Sequence, residues 1–128
     1  MNSKYEDIPS IIQVIGNIYQ TPTLLDNEKY TFIEEDFTNE FHKILFGSIY
    51  NLYKLGAKQI TINTIEDYLS QRPKSLAIYK SNKGAEYLQE ISKNVTISTF
   101  DYYYNRMKKM TLLRMYDDIG LDLSWLYD

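Results

Sequence analysis

A chain of 128 residues has the length of one domain with a real core, and leaves no room for a nucleotide-hydrolysing engine beside it. Hydrophobic residues make up 44% and charged residues 24%, the balance of a folded globular domain, which argues against disorder. The lack of cysteine excludes disulfides and thiolate metal sites and suits a reducing cytosol, while a net charge of −3 offers phosphate no global attraction.

The opening residues, Met1 to Asp7, are polar and acidic, unlike a signal peptide. No apolar run approaches the roughly 18 residues of a membrane span, so the expectation is a cytoplasmic chain without a membrane partner. Ile8, Ile11, Ile12, Ile15 and Tyr19 form the first helical stripe, with Pro9 tolerated in the opening turn. Leu24 and Leu25 form a short piece kept irregular by Pro22, Asp26 and Asn27.

Phe41, Ile44, Leu45, Ile49, Leu52 and Leu55 recur at three- and four-residue steps, predicting a helix from Thr38, as its cap, to Leu55, stopped by Gly56. Ile60-Thr61-Ile62 reads as an extended connector. Asn63 with Glu66 suggests a capping box ahead of Ile65, Tyr68 and Leu69, and Pro73 closes that segment. Tyr87, Leu88 and Ile91 mark a helix from Lys83 to about Asn94.

Ser98 with Asp101 predicts the start of the last and longest helix, whose stripe is Phe100, Tyr103, Tyr104, Met107, Met110 or Thr111, and Arg114. Gly120 ends it. The expected architecture is all-α, a compact bundle of five or six helices over residues 1–118, with 119–128 as a linker or the start of a truncated helical hairpin.

The chemistry-bearing residues are sparse. None of the five glycines opens the G-x-x-x-x-G-K-[ST] loop that cradles phosphate, so no ATPase, and no catalytic or cofactor-binding residue, is expected in this chain. His42 is the sole histidine, and a structural position beside the Phe41 and Leu45 stripe, bonded to a carboxylate or carbonyl, is expected over a catalytic one. Glu34-Glu35-Asp36 and Asp117-Asp118 diverge as neighbours on a helix end, so capping and solvation are expected instead of a metal site.

Arg106, Lys108, Lys109 and Arg114, interleaved with Tyr102, Tyr103 and Tyr104, form the one cluster suited to single-stranded nucleic acid; the competing reading is a solvated or protein-binding helix face. From that cluster, Tyr102, Arg106, Lys108 and Lys109 are the candidate partner or nucleic-acid face. Leu121, Leu123, Trp125 and Leu126 are the candidate oligomer or hairpin surface. Tyrosine, at 13 residues, suits half-buried and interface positions, and also fits codon drift in an AT-rich genome.

In order and spacing, several motifs together resemble the N-terminal domain of DnaB-type replicative DNA helicases. They are Ile15-Gly16; Asp36-Phe37, His42 and Leu45-Phe46; Thr64 and Leu69; Gly84 to Leu88; Glu90-Ile91 and Asn94-Val95; and Tyr103 with Leu112-Leu113-Arg114. The match runs from about Pro9 to Arg114. It departs from the family at Ile11-Ile12-Gln13, where an acidic residue is frequent, at Thr96-Ile97-Ser98 in place of Pro-Ser, at Thr61 for a connector aspartate, and at Lys83 for one glycine of a Gly-Gly pair. Such departures suggest a divergent, phage-encoded member.

The resemblance implies a non-catalytic collar module that self-associates into a hexameric ring, partly through a hairpin beginning near Leu112, and docks primase and helicase loader during DNA replication. ATP and Mg would belong to a further domain, which would also make most of the DNA contact. Two alternatives stay open: a stand-alone regulator that mimics such a domain, and a single-strand-binding helical module.

Overall fold

The computed structural model describes residues 5–122 together with Trp125. Six α-helices form the bundle: α1 (Ile8–Gln20), α2 (Glu40–Lys54), α3 (Ile62–Leu69), α4 (Pro73–Ser81), α5 (Gly84–Lys93) and α6 (Phe100–Asp118). Short 3-10 turns at Pro22–Asp26, Glu34–Asp36 and Ile97–Thr99 join them, and no strand occurs among the described residues. The all-α architecture expected from periodicity is the one observed.

Helix α1 is central. Val14, Ile15 and Ile18 are fully enclosed, and the helix packs along both α6 and α5 while also meeting α2. Pro9 lies in its first turn, where an amide is unbonded anyway, and Asp7 caps it by accepting from the Ser10 amide at 3.1 Å. The apolar stripe of α2 buries Phe41, Leu45 and Ile49 on that core. Together these faces supply most of the driving force, at about 1.5–3 kcal/mol for each fully buried aliphatic side chain.

Both chain reversals expected at glycines are seen. Gly56 (φ 104°) and Gly120 (φ 90°) each take the left-handed position after a helix, and the amides of Ala57 and Leu121 reach back to the carbonyls of Leu52 and Tyr116. The segment before α2 straps across α6. The Tyr104 hydroxyl accepts from the Thr31 amide at 2.9 Å and donates to the Thr31 carbonyl at 3.0 Å, while the Tyr30 ring meets Phe100 and Tyr104 edge-on at 4.8 Å.

Several boundaries differ from the sequence expectation, each for a local reason. Asn39, not Thr38, caps α2: it stands directly before the first helical residue, and its amide oxygen accepts from the His42 amide at 2.8 Å. The capping box of α3 is Thr61 with Thr64, not Asn63 with Glu66, so Ile62 is already helical and the extended connector ends at Thr61. Pro73 opens a helix that the pattern did not suggest instead of only closing one, since a first-turn proline loses nothing by lacking an amide hydrogen. Helix α6 begins at Phe100 after a 3-10 turn, and Ser98 makes no cap.

Candidate interaction surface

The inner side of α6 carries a polar node that joins it to residues 72 to 109 positions away in sequence. Asp36 is completely buried, and its carboxylate accepts from Lys108 Nζ at 2.8 Å, Thr111 Oγ1 at 2.7 Å and its own turn's Ile33 amide at 2.9 Å. Arg114, also buried, donates to the carbonyls of Tyr5 and Glu35 and to Thr111 Oγ1. Asp36 was expected to be a solvated capping residue; it does cap, but the fold encloses it because Lys108 and Thr111 satisfy its charge.

His42 is enclosed too. Its Nε2 lies 2.6 Å from the Tyr87 hydroxyl, so the partner is a phenol instead of the expected carboxylate or carbonyl. Burial pushes the imidazole below its usual range, with the Glu6 charge opposing weakly, so the ring is neutral at neutral pH. A neutral, enclosed ring on a helix flank serves packing. Tyrosine hydroxyls recur in this role: Tyr79 donates to Glu66 at 3.0 Å, and Tyr68 accepts from Asn51 at 2.8 Å.

Two glycines of the matched stretches are sites of close approach. A Cβ on Gly16 would stand 2.6 Å from a Val95 methyl, and one on Gly84 would enter the Tyr79 ring. Beside Gly84, Lys83 occupies the left-handed region at φ 53°, so the replaced glycine of the Gly-Gly pair is the position whose backbone favours glycine.

The cations expected to form a nucleic-acid face on α6 are placed around the helix and engaged within the fold. Arg106 pairs with Asp7 at 2.8 Å, and the guanidinium lies 6.0 Å from the exposed Tyr102 ring. Burial alone would raise the Asp7 carboxyl, but Arg106 and the Ser10 amide together hold it below its usual value. Lys108 faces Asp36, Arg114 is internal, and Lys109 is half-buried.

The outward side of α6 is different. Leu112, Met115 and Ile119 are all exposed, Ile119 at 72%, and their three- and four-residue spacing puts them on one stripe. Leu121 and Trp125 are also exposed, whereas Leu123 and Leu126 lie outside the described residues. Sequence reading named Leu112 as the hairpin's beginning but not Met115 or Ile119, although their period was there to be counted.

A shallow cavity meets this stripe at Met115, and a second lies beyond it. One, of about 180 Å³, is lined by Phe37, Lys43, Arg114 and Met115; the other, of about 290 Å³, by Phe32, Ile33, Phe37, Lys43, Phe46 and Tyr50. Phe37 and Lys43 are shared, and the smaller cavity is also lined by Glu35, Thr38 and Asp118, so charged and polar groups lie between the α6 stripe and the aromatic lining of the larger one. An exposed apolar stripe such as that of Leu112, Met115 and Ile119 marks protein interfaces more often than small-molecule sites. Among the described residues, no group of three or more His, Asp or Glu side chains could hold a metal ion.

Residues 8–109 match the DnaB-like helicase N-terminal domain. The chain is 38% identical over 124 residues to the SPbeta prophage-derived uncharacterized protein YorI of Bacillus subtilis (strain 168), an alignment that covers 96% of this chain but 25% of that relative. The chain therefore spans about a quarter of the length of the curated relative it matches. No solved structure gives a significant match. With the match covering most of the helical bundle and its motifs placed at the packing contacts described above, the chain belongs to the DnaB-like helicase N-terminal domain family.

Proposed function

We propose that this chain is the non-catalytic collar module of a replicative DNA helicase, acting in the cytoplasm of a bacterium or phage-infected host. In this reading it assembles with copies of itself through the outward face of α6 and offers the adjoining surface to primase or a helicase loader. ATP and Mg, and most of the contact with DNA, belong to a further domain. The observation that carries the proposal is the exposed Leu112, Met115 and Ile119 stripe. An isolated bundle gains nothing by presenting three large apolar side chains in register to water, whereas burying their exposed remainder against a second helix recovers about 1–2 kcal/mol each.

Two further points support it. The relative is about four times the length of the match, which suits a module attached to a larger protein, and no described helix is long and apolar enough to cross a membrane. The stand-alone regulator gains no specific observation.

Sedimentation velocity of the complete gene product tests the assembly role. Leu112→Glu with Ile119→Glu is expected to shift the protein to smaller species while leaving its helical circular dichroism intact. Unchanged sedimentation would remove α6 from the interface.

A further inference from the structure

Charge is segregated on this molecule in a way that α6 does not reveal. The stretch from Ser70 to Lys83 contains Arg72, Lys74, Lys80 and Lys83 and no acidic residue, so it carries +4 in a chain of net charge −3, leaving −7 for the rest. The structure turns that stretch into α4 and its two flanking turns. Tyr79 is buried on the inner side of α4, where it donates to Glu66, and Leu76 and Ile78 are half-buried. By helical phase, at about 100° per residue, the opposite side centres on Ala77, with Lys74 and Lys80 to either side of it. Ala77, Lys74 and Lys80 are all exposed.

None of the four cations has an ion pair with a described residue, in contrast to Arg106 and Lys108. The Arg72 guanidinium sits over the Tyr68 ring, 3.9 Å from its centroid, and donates to the Tyr68 carbonyl, which fixes it at the N-terminal end of the row. Lys83 stands at the other end, in its left-handed turn. The row between them offers charge, with small or polar residues, Ala77, Ser81 and Asn82, and no large apolar anchor.

That composition selects the occupant. The cores of protein interfaces are depleted in lysine and built around apolar or aromatic anchors, which this face lacks. Lysine point charges on a polar surface suit a phosphate backbone, whose contacts position without reading sequence. We infer that the outer face of α4 binds the phosphate backbone of nucleic acid, independently of base sequence, through Arg72, Lys74, Lys80 and Lys83. It lies on a different helix from the α6 stripe, so its failure would leave the collar proposal standing.

Fluorescence anisotropy with labelled oligothymidylate is the test. Four phosphate contacts to a single strand predict a slope of log K against log salt near −2.8, or about 50-fold weaker binding between 50 and 200 mM salt. Lys74→Gln with Lys80→Gln should halve the slope to about −1.4 and cost more than about tenfold in affinity at the lower salt. Lys109→Gln with Tyr102→Ala, on α6, should leave binding unchanged. Oligouridylate should bind like oligothymidylate, since the backbone charge is shared.

Absence of binding at the lower salt, or loss of binding in the α6 variant instead of the α4 variant, would overturn the inference. So would a strong preference for one of the two oligonucleotides. Competition by polyglutamate as effective, charge for charge, as the oligonucleotide would assign the face to an acidic protein segment instead.

Discussion

Removing the Asp36 carboxylate tests whether the Asp36-Phe37 pair is a folding device or part of a site. Asp36→Ala takes an acceptor from three donors: the Ile33 amide, the Thr111 hydroxyl and the Lys108 ammonium. Thr111 is buried and keeps a second acceptor in the Met107 carbonyl at 3.0 Å, so its loss is softened. The Ile33 amide loses its acceptor in a half-buried setting, and Lys108, at 27% side-chain exposure, can swing toward water. At about 1–3 kcal/mol for a poorly replaced buried bond and less for the two others, plus a small cavity, the sum is about 3–4 kcal/mol. Lys108→Met should cost at least as much as Asp36→Ala, about 3–5 kcal/mol, because it leaves a completely buried carboxylate without its paired cation. Urea unfolding followed by circular dichroism measures both, with m-values unchanged if the change lies in the native state. A loss below about 1 kcal/mol for Asp36→Ala would refute the node as a structural element.

Further outcomes follow from single contacts. Gly84→Ala should destabilise by about 2–3 kcal/mol, because its methyl enters the Tyr79 ring, whereas Gly47→Ala, with open space around the added carbon in mid-helix, should stabilise by about 0.5–1 kcal/mol; thermal melts distinguish the two. Lys83→Val should cost about 1–2 kcal/mol through its left-handed backbone, while Lys83→Gly should be near neutral or better by the same measurement. The folded pKa of His42 is depressed by burial, so its contribution is fully present above the unfolded value near 6.5 and is lost as pH falls toward the folded one. Melting temperature should therefore decline through that window in the wild type and less so in His42→Gln. The Asp7 carboxyl is also depressed, so its stabilising share is present above about pH 4 and disappears on further acidification, and Arg106→Gln should flatten that part of the profile.

Legibility in the sequence followed the range of the interaction. The stripes of α1, α2 and α6 and the stop at Gly56 were readable because period and capping are encoded within a few residues. Helix α4 was missed because Pro73 looked like a terminator and only Leu76, Ile78 and Tyr79 mark its inner side. The cap of α3 shifted by two residues because Thr61 and Thr64 satisfy the same reciprocal pattern as Asn63 and Glu66. No spacing rule links Asp36 to Thr111 or His42 to Tyr87, whose bonds span 75 and 45 residues, so these partners were invisible until the chain was folded. The same holds for charge: Arg106 and Lys108 looked like a basic cluster because Asp7 and Asp36 are far from them in sequence.

The central claim, that the outward face of α6 is an assembly surface, can be tested with a single reporter because these 128 residues contain no cysteine, any thiol elsewhere in the gene product being replaced by serine. Met115→Cys places one thiol in the exposed Leu112 and Ile119 stripe, and Ala77→Cys places one on the exposed side of α4 as a control. Under mild oxidation of the complete gene product, Met115→Cys should give a disulfide-linked dimer on non-reducing electrophoresis and Ala77→Cys should stay monomeric. Efficient cross-linking through Ala77→Cys with none through Met115→Cys would contradict the account.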